Sequence, residues 1–433
     1  MRRRRAPLCA VLVALSLAGC GGDERAAQAP RTTPQPPDAR IDTTQSPPAG
    51  GTTAAAAPPE AEPLPGASVA ATQRPESPPT PPAGTPKASA PAPLARFVVG
   101  AVDDQARHGG PMLDQLPAAG FDALGITSYW EPGHAAPTPS ELHVLRRTAS
   151  RADERGLRVF LAVFHRGSST TPVTPQAQRD FASYVAAIVR DVPLIRDVIV
   201  GNEPNINRFW LPQFDASGRN VAAPTYLALL ARTYDAAKAA DPAVRIWGGA
   251  LAPRGIDRPN TGRDTHSAET FLRDLGAAYR ASGRPSPPLD GFAFHPYPEA
   301  SNVPPDLPHP RSRTIGLADH GRLRRLLREA FGGRLPILYS EFGVETEVPA
   351  AKRPLYRGTE PGKVVDPATQ ADYYRRALEL AACQEDVVGM LLFHSQDEPY
   401  LHGFQSGVHY IDGTRKPSFE PVRRAILRAR AGC

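Results

Sequence analysis

From residue 97 onward, short apolar runs alternate with longer amphipathic stretches. The apolar runs are Phe97 to Val102, Ala123 to Tyr129, Val159 to His165, Val198 to Asn202, Arg245 to Gly249, Gly291 to Tyr297, Pro336 to Glu341 and Gly389 to His394. They are rich in β-branched and aromatic residues and lack strict alternation, the pattern of strands buried on both faces. Between them the apolar positions take helical spacing, over Pro139 to Arg155, Pro175 to Arg190, Thr225 to Ala240, Ser267 to Ala281, His320 to Ala330 and Pro367 to Cys383. Gly156 and Gly332-Gly333 stop helices, and Asp241-Pro242 stops another just before the fifth run. Strand and helix in alternation predict a parallel sheet with crossover helices, and eight strands predict a (β/α)8 barrel within the α/β class. An open doubly wound sheet would carry a Gly-rich phosphate turn after its first strand, where this chain has Asp103-Asp104-Gln105. No repeat and no second folded domain is evident, so residues 96–433 read as one barrel domain.

A barrel of this kind presents its chemistry at the C-terminal ends of its strands. Two runs end in a lone glutamate there. The fourth runs into Asn202-Glu203-Pro204, and the seventh, Leu335 to Gly343, carries Glu341. Ser128-Tyr129-Trp130-Glu131, Phe164-His165, His295-Pro296-Tyr297 and Phe393-His394 stand at other strand ends. Paired carboxylates among imidazoles, an amide and aromatic faces suit sugar chemistry: rings pack on C–H surfaces and polar tips hold hydroxyls. Glycoside hydrolysis with retention needs two carboxyl groups roughly 5–5.5 Å apart, one ionised to attack and one protonated to release the leaving oxygen.

Asn202-Glu203-Pro204 together with Glu341 three strands later resembles the clan A retaining glycoside hydrolases, over roughly residues 97–427. The resemblance implies that Glu203 is the acid/base, that Glu341 is the nucleophile and that Asn202 binds the sugar 2-hydroxyl. His295-Pro296-Tyr297 resembles the strand-six motif whose tyrosine contacts the nucleophile. Phe404 to Val408 and Asp412 to Pro417 resemble segments found after strand eight in several members. Where many members carry a tryptophan at the end of strand eight, this chain has Phe393 or His394. His165, Trp130 and Trp210, with Phe209 beside it, complete the expected substrate-binding set. Asp103 and Asp104 read as turn formers or caps, and Glu345 and Glu347 as solvated loop charges. This chemistry calls for a carbohydrate substrate and for no cofactor or metal.

Composition changes the picture mainly at the N-terminus. Of 433 residues 41% are hydrophobic, slightly low for a fully folded chain, and the deficit lies before residue 96. Arg2 to Arg5 precede an apolar core, Leu8 to Leu17, too short to span a bilayer comfortably. Leu17-Ala18-Gly19-Cys20 resembles the lipobox of bacterial lipoproteins. The resemblance implies cleavage before Cys20, its acylation, and a cell-envelope location with a membrane anchor. Residues 21–95 are rich in Pro, Ala and Thr and poor in aromatic residues, so they read as a disordered tether. As polyproline helix it would reach on the order of 200 Å, as coil about 50 Å. The net charge is +6, four of it from Arg2 to Arg5, and no basic stripe with interleaved aromatics suggests nucleic acid. Cys383 and Cys433 are the cysteines outside the leader. They read either as a disulfide in an exported protein or as two separate thiols.

Two other functions compete. A non-catalytic barrel could bind glycans as a surface receptor, although binding alone needs no pair of carboxylates. A metal hydrolase using His165, His295 and His394 ranks last, because amidohydrolase-type barrels carry His-x-His at strand one, where this chain has Val102-Asp103-Asp104.

Overall fold

Strands apolar on both faces need cover on both, and a closed ring supplies it. The computed structural model describes residue 94 and residues 96–433 apart from 361. Eight strands, β1 (Val98–Val102), β2 (Ala123–Trp130), β3 (Arg158–His165), β4 (Asp197–Val200), β5 (Arg245–Leu251), β6 (Gly291–Phe294), β7 (Ile337–Phe342) and β8 (Val387–Phe393), form a closed parallel barrel in chain order. Pairing of β8 with β1 closes it, with Val98 opposite Gly389 and Val102 opposite Phe393. The expected leader, the expected lipidation site Cys20 and all of the expected tether except residue 94 lie outside the described residues. Among those described, no helix is long and apolar enough to cross a membrane.

The outer ring is α1 (Met112–Ala118), α2 (Pro139–Asp153), α3 (Pro175–Asp191), α4 (Ala222–Ala240), α5 (Ala268–Ala281), α6 (His320–Phe331), α7 (Pro367–Ala382) and α8 (Phe419–Ala431). Thr138, Thr174 and Asp366 each accept a backbone N–H at a helix start and are followed by proline at the first helical position; Ser267 caps α5 by accepting from Thr270 N–H, without the proline. Helices α1 and α8 are additions to the elements expected from sequence. Helix α1 has seven residues and an internal Pro117, too little for a periodic signal. Helix α8 did carry one, since Phe419, Val422, Ala425, Ile426 and Ala429 form its buried stripe.

Successive side chains on each strand go alternately to the barrel interior and to the helices. On β3, Val159, Leu161 and Val163 pack outward into the large strand–helix core. Phe160 points inward and joins Val98, Ala123, Ile199, Trp247, Ala293, Leu338 and Leu391 in a second cluster that fills the barrel. The Trp247 indole takes the space beside Gly291, where a Cβ would lie 2.3 Å from Trp247 Cζ3. Beneath it Asp197 is fully buried and accepts from Arg158 Nε (2.6 Å) and Trp247 Nε1 (3.0 Å), with Arg245 at 3.4 Å. The packed floor leaves the C-terminal mouth as the open end.

Cys383, just past α7, and Cys433, just past α8, form a disulfide. It ties the last helix of the ring to its neighbour. Closing a loop of 50 residues in the unfolded chain corresponds to about 4 kcal/mol of stability.

Candidate active site at the C-terminal mouth

The mouth holds a cleft of about 650 Å³ lined by side chains from all eight strand ends or the loops after them. The same alternation that fills the barrel decides which side chains reach it. From β3 and its following loop, Phe160, Ala162, Phe164 and Arg166 face the cleft; from β2, Gly125, Thr127 and Tyr129 do. Trp130 and His165, paired in register on the opposite face of the sheet, therefore point away. Trp130 is fully buried, its indole N–H donating to the His134 carbonyl (2.8 Å) and its ring edge-on to Phe181. His165 donates from Nδ1 to the Gly167 carbonyl (2.7 Å), and burial lowers its pKa to about 4, leaving it neutral. Trp210 is buried between His165 and Tyr226. These three expected sugar contacts are corrected: each packs a loop against the ring of helices and offers no open face. Phe209, by contrast, lines the cleft.

The exit of β4 is built by tight turns. Gly201 and Glu203 both have positive φ, 84° and 41°, a conformation that costs a non-glycine residue about 1–2 kcal/mol. The turn is pinned from β5: Glu203 N–H donates to the Ala250 carbonyl (2.9 Å). Buried Asn205 donates to the carbonyls of Ala252 and His266 and accepts from Ala252 N–H. Asn202 is thereby presented to the cleft, and Glu203 is turned toward His295.

His295 links the two glutamates. Its Nδ1 lies 3.0 Å from Glu203 Oε1, to which it donates, and 3.7 Å from Glu341 Oε2. The shared nitrogen thus brings an oxygen of each carboxyl group into the same small space, as a two-carboxylate reaction requires. The Tyr297 hydroxyl donates to Glu341 Oε2 (3.1 Å). Tyr297 is buried with Phe393 and Phe404 and acts on the glutamate from below; it is not part of the cleft lining, which corrects its expected contact with a sugar. Burial opposes charge on His295, but the Glu341 and Glu203 carboxylates outweigh it and raise its pKa. Burial raises the pKa of Glu341, against the pull of His295, and Glu203 adds to the rise; the Tyr297 bond and His394 oppose it. Burial and the same two carboxylates push Tyr297 well above 10, so it stays a donor. Glu341 faces the cleft with 19% of its side chain exposed, whereas Glu203 shows 2%, is absent from the lining, and has an unpartnered Oε2.

Strand β8 delivers Phe393 and His394, both lining the cleft with ring centroids 3.7 Å apart. His394 Nδ1 donates to the Val102 carbonyl (2.7 Å), and Nε2 lies 3.6 Å from Glu398 Oε1. Burial opposes its charge, but Glu398 and Asp103 outweigh it and raise the pKa to about 9. Asp103 does cap the turn after β1, accepting from Gln105 N–H, but it also accepts from the Ser395 hydroxyl (2.7 Å) and joins the cleft wall. The segment after β8 is fixed by a buried ion pair, Lys416 to Asp397 (2.6 Å), with the Tyr356 hydroxyl and Gly407 N–H also donating to Asp397.

Cleft residues that sequence reasoning missed are Arg166, Arg208 and Glu398; Phe164 and Tyr129, half-buried in the wall, were named only as strand-end aromatics and not chosen as sugar contacts. Counting by twos from the buried core of β3 would have found Phe164 and Arg166. His165, His295 and His394 do not converge, and among the described residues no group of three His, Cys, Asp or Glu side chains is arranged to hold a metal ion.

His394 supports a pH test. Its folded pKa, about 9, is above the ordinary 6.5 of the unfolded chain. The stability it contributes is complete below about pH 6.5 and is lost as pH rises through about 9. The stability advantage of the wild type over His394→Gln is expected to shrink across that window by on the order of 3 kcal/mol. Urea unfolding at several pH values measures it, and a constant difference would contradict the assignment.

No known family model matches this sequence, and no curated protein is similar to it. Solved structures are similar in fold. One is a family 39 glycoside hydrolase from Bacteroides cellulosilyticus, with TM-score 0.53, 17% identity and 77% of this chain covered; this chain spans 64% of that protein, less than two thirds. A glucosidase from Croceicoccus marinus has TM-score 0.53, 13% identity, and 79% and 68% of the two chains covered. A GH5_18 protein from Streptomyces cattleya, solved with GlcNAc, has TM-score 0.52, 20% identity, and 79% and 81% covered. Glycoside hydrolases are thus among the structural neighbours of this barrel, and what the likeness carries at these identities is the fold.

Proposed function

We propose that this protein is a retaining glycoside hydrolase in which Glu341 is the nucleophile and Glu203 the acid/base. The observation that carries the reading is the grouping of both glutamates around His295 Nδ1, with the Tyr297 hydroxyl on Glu341. In the first step a Glu341 oxygen bonds to the anomeric carbon, the glycosidic C–O bond breaks, and the leaving oxygen takes a proton from Glu203. In the second, Glu203 takes a proton from water, the water oxygen bonds to the anomeric carbon, and the bond to Glu341 breaks. Tyr297 and His295 stabilise the Glu341 carboxylate before attack and after release. When the glycosyl ester forms, Glu341 loses its charge, and Glu203 is left as the anionic partner of His295. Oε2, free of partners, is the Glu203 atom for the leaving oxygen, and it must turn toward the cleft as substrate seats.

The withdrawal of Glu203 from the cleft wall favours a second reading, a barrel that binds glycans without cleaving them. Kinetics separate the two. With an aryl glycoside bearing a good leaving group, Glu203→Ala should lose about 10²–10⁴-fold in the step that needs its proton transfer, and Glu341→Ala should lose more. Azide should rescue both, giving glycosyl azides of opposite anomeric configuration. Wild-type protein that turns over no member of a broad glycoside panel, yet binds glycans, would favour the receptor.

The same proposal includes export and anchoring. The leader with Leu17-Ala18-Gly19-Cys20, the low-complexity stretch after it and the Cys383–Cys433 disulfide all suit an exported, membrane-anchored enzyme. Expressed in a bacterial host, the wild-type chain should partition into detergent and Cys20→Ser into the aqueous phase. Equal partitioning would remove the anchor.

A further inference from the structure

The cleft has an uneven charge distribution that the two-glutamate chemistry does not use. On the wall formed by β2, β3, β4 and their loops, half-buried Tyr129 and Phe164 and buried Phe209 form a ladder of edge-on rings, with centroids 5.1 and 6.3 Å apart along it. Each end of the ladder carries a guanidinium. Arg166 lies 4.3 Å over the Tyr129 ring, and Arg208 lies 5.8 Å from the Phe209 centroid. Both arginines line the cleft and both are exposed. Arg208 has no ion pair or hydrogen bond among the described residues, and Arg166 has one loose contact, 3.7 Å, with the exposed Glu131, of little energetic weight.

The third arginine of the cleft behaves differently. Arg107 is committed to Glu141 and to the Thr127 carbonyl, both at 2.5 Å. The other lining carboxylates are Asp103 and Asp104, after β1, and Glu341 and Glu398, from β7 and the segment after β8 on the far side of the closed ring from β3 and β4. Asp104 accepts from Thr127 N–H (2.6 Å) and Asp103 from the Ser395 hydroxyl (2.7 Å), and neither pairs with Arg166 or Arg208. A sugar on the aromatic ladder would therefore meet exposed guanidinium groups at its edges and Glu341 and Glu398 across from it, with Asp104 near the Tyr129 end held by the Thr127 N–H. A guanidinium stacked on a ring is pre-oriented, keeps its charge at any working pH, and presents paired donors that match a planar or tetrahedral oxyanion.

We propose that Arg166 and Arg208 form an anion clamp, and that the substrate carries a negatively charged sugar unit, a uronate or a sulfate ester, held against the Tyr129–Phe164–Phe209 wall. This rests on the glycosidase reading for the word substrate, but the clamp itself is a binding property. It is therefore tested by binding, in full-length Glu341→Gln protein where turnover cannot interfere. Titration calorimetry compares a uronate oligosaccharide with its carboxyl-reduced form, and a sulfated oligosaccharide with its desulfated form. The clamp predicts that at least one anionic member binds at least about tenfold more tightly than its neutral partner. That ratio should narrow as salt rises from about 20 mM to about 500 mM. The pair that shows it identifies the anionic group. The further double substitution Arg166→Gln/Arg208→Gln should collapse the ratio, with an unchanged circular dichroism spectrum reporting an intact fold. Ratios within about twofold for both pairs, or a preference that survives loss of both arginines, would overturn the clamp. A preference that holds while wild-type protein cleaves none of these glycans would support the clamp and sink the glycosidase reading.

Discussion

A side chain on a strand of a closed barrel has two destinations, the interior or the ring of helices. This twofold constraint decides what the protein can do at its mouth. On β3 it sends Phe160 into the barrel floor and carries Phe164 and Arg166 up the same face into the cleft, while His165 goes to the helices with Trp210. On β6 it places His295 above Ala293, facing the centre where groups from β4 and β7 can meet it. The alternation is broken at the positive-φ turn of Gly201 to Glu203 after β4, at the irregular pairing of β5 with β6 around Ala250, and at the irregular pairing of β7 with β8 around Glu341. The two glutamates stand at two of these breaks, and Glu203 carries the backbone strain that collects at functional sites.

The electrostatics of the mouth follow from burial acting on groups that are close together. A carboxylate out of water needs a partner, and four groups of the mouth, Glu203, Glu341, His295 and Tyr297, supply partners to each other. His295 is drawn toward its charged form by Glu203 and Glu341, and Tyr297 is held as a neutral donor. Around β8 the same logic is repeated with His394, Glu398 and Asp103. The tail after β8, locked by Lys416 and Asp397, holds that second group in place and packs Phe404 against Phe393. A phenylalanine at the end of β8 thus still gives the cleft an aromatic wall.

Much of this was legible in the residues, for physical reasons that can be named. Eight double-sided apolar runs with crossover helices admit few folds other than a barrel, and strand ends in a barrel converge, so Glu203, Glu341, His295 and Tyr297 could be grouped without coordinates. The aromatic platforms could not be chosen by residue type. Trp130 and Trp210 are the largest rings near the site, and size is what makes them useful in the core, where each is buried. The smaller Phe164 and Tyr129 were better candidates because of their position in the alternation. Arg166 and Arg208 were overlooked because a loop arginine usually reads as solvation. Their meaning comes from rings brought together by three different strands. The depth of Glu203 was also out of reach, since it depends on a backbone conformation that Asn-Glu-Pro does not announce.

The central claim is a covalent bond to Glu341. A 2-deoxy-2-fluoro glycoside with a good leaving group slows release of the glycosyl-enzyme so that it accumulates. Intact-protein mass spectrometry followed by peptide mapping should find one fluoroglycosyl unit, attached at Glu341 in the peptide that contains Tyr339 to Phe342. An adduct on another cleft carboxylate such as Asp103 or Glu398, or no adduct while hydrolysis proceeds with inversion, would contradict the account.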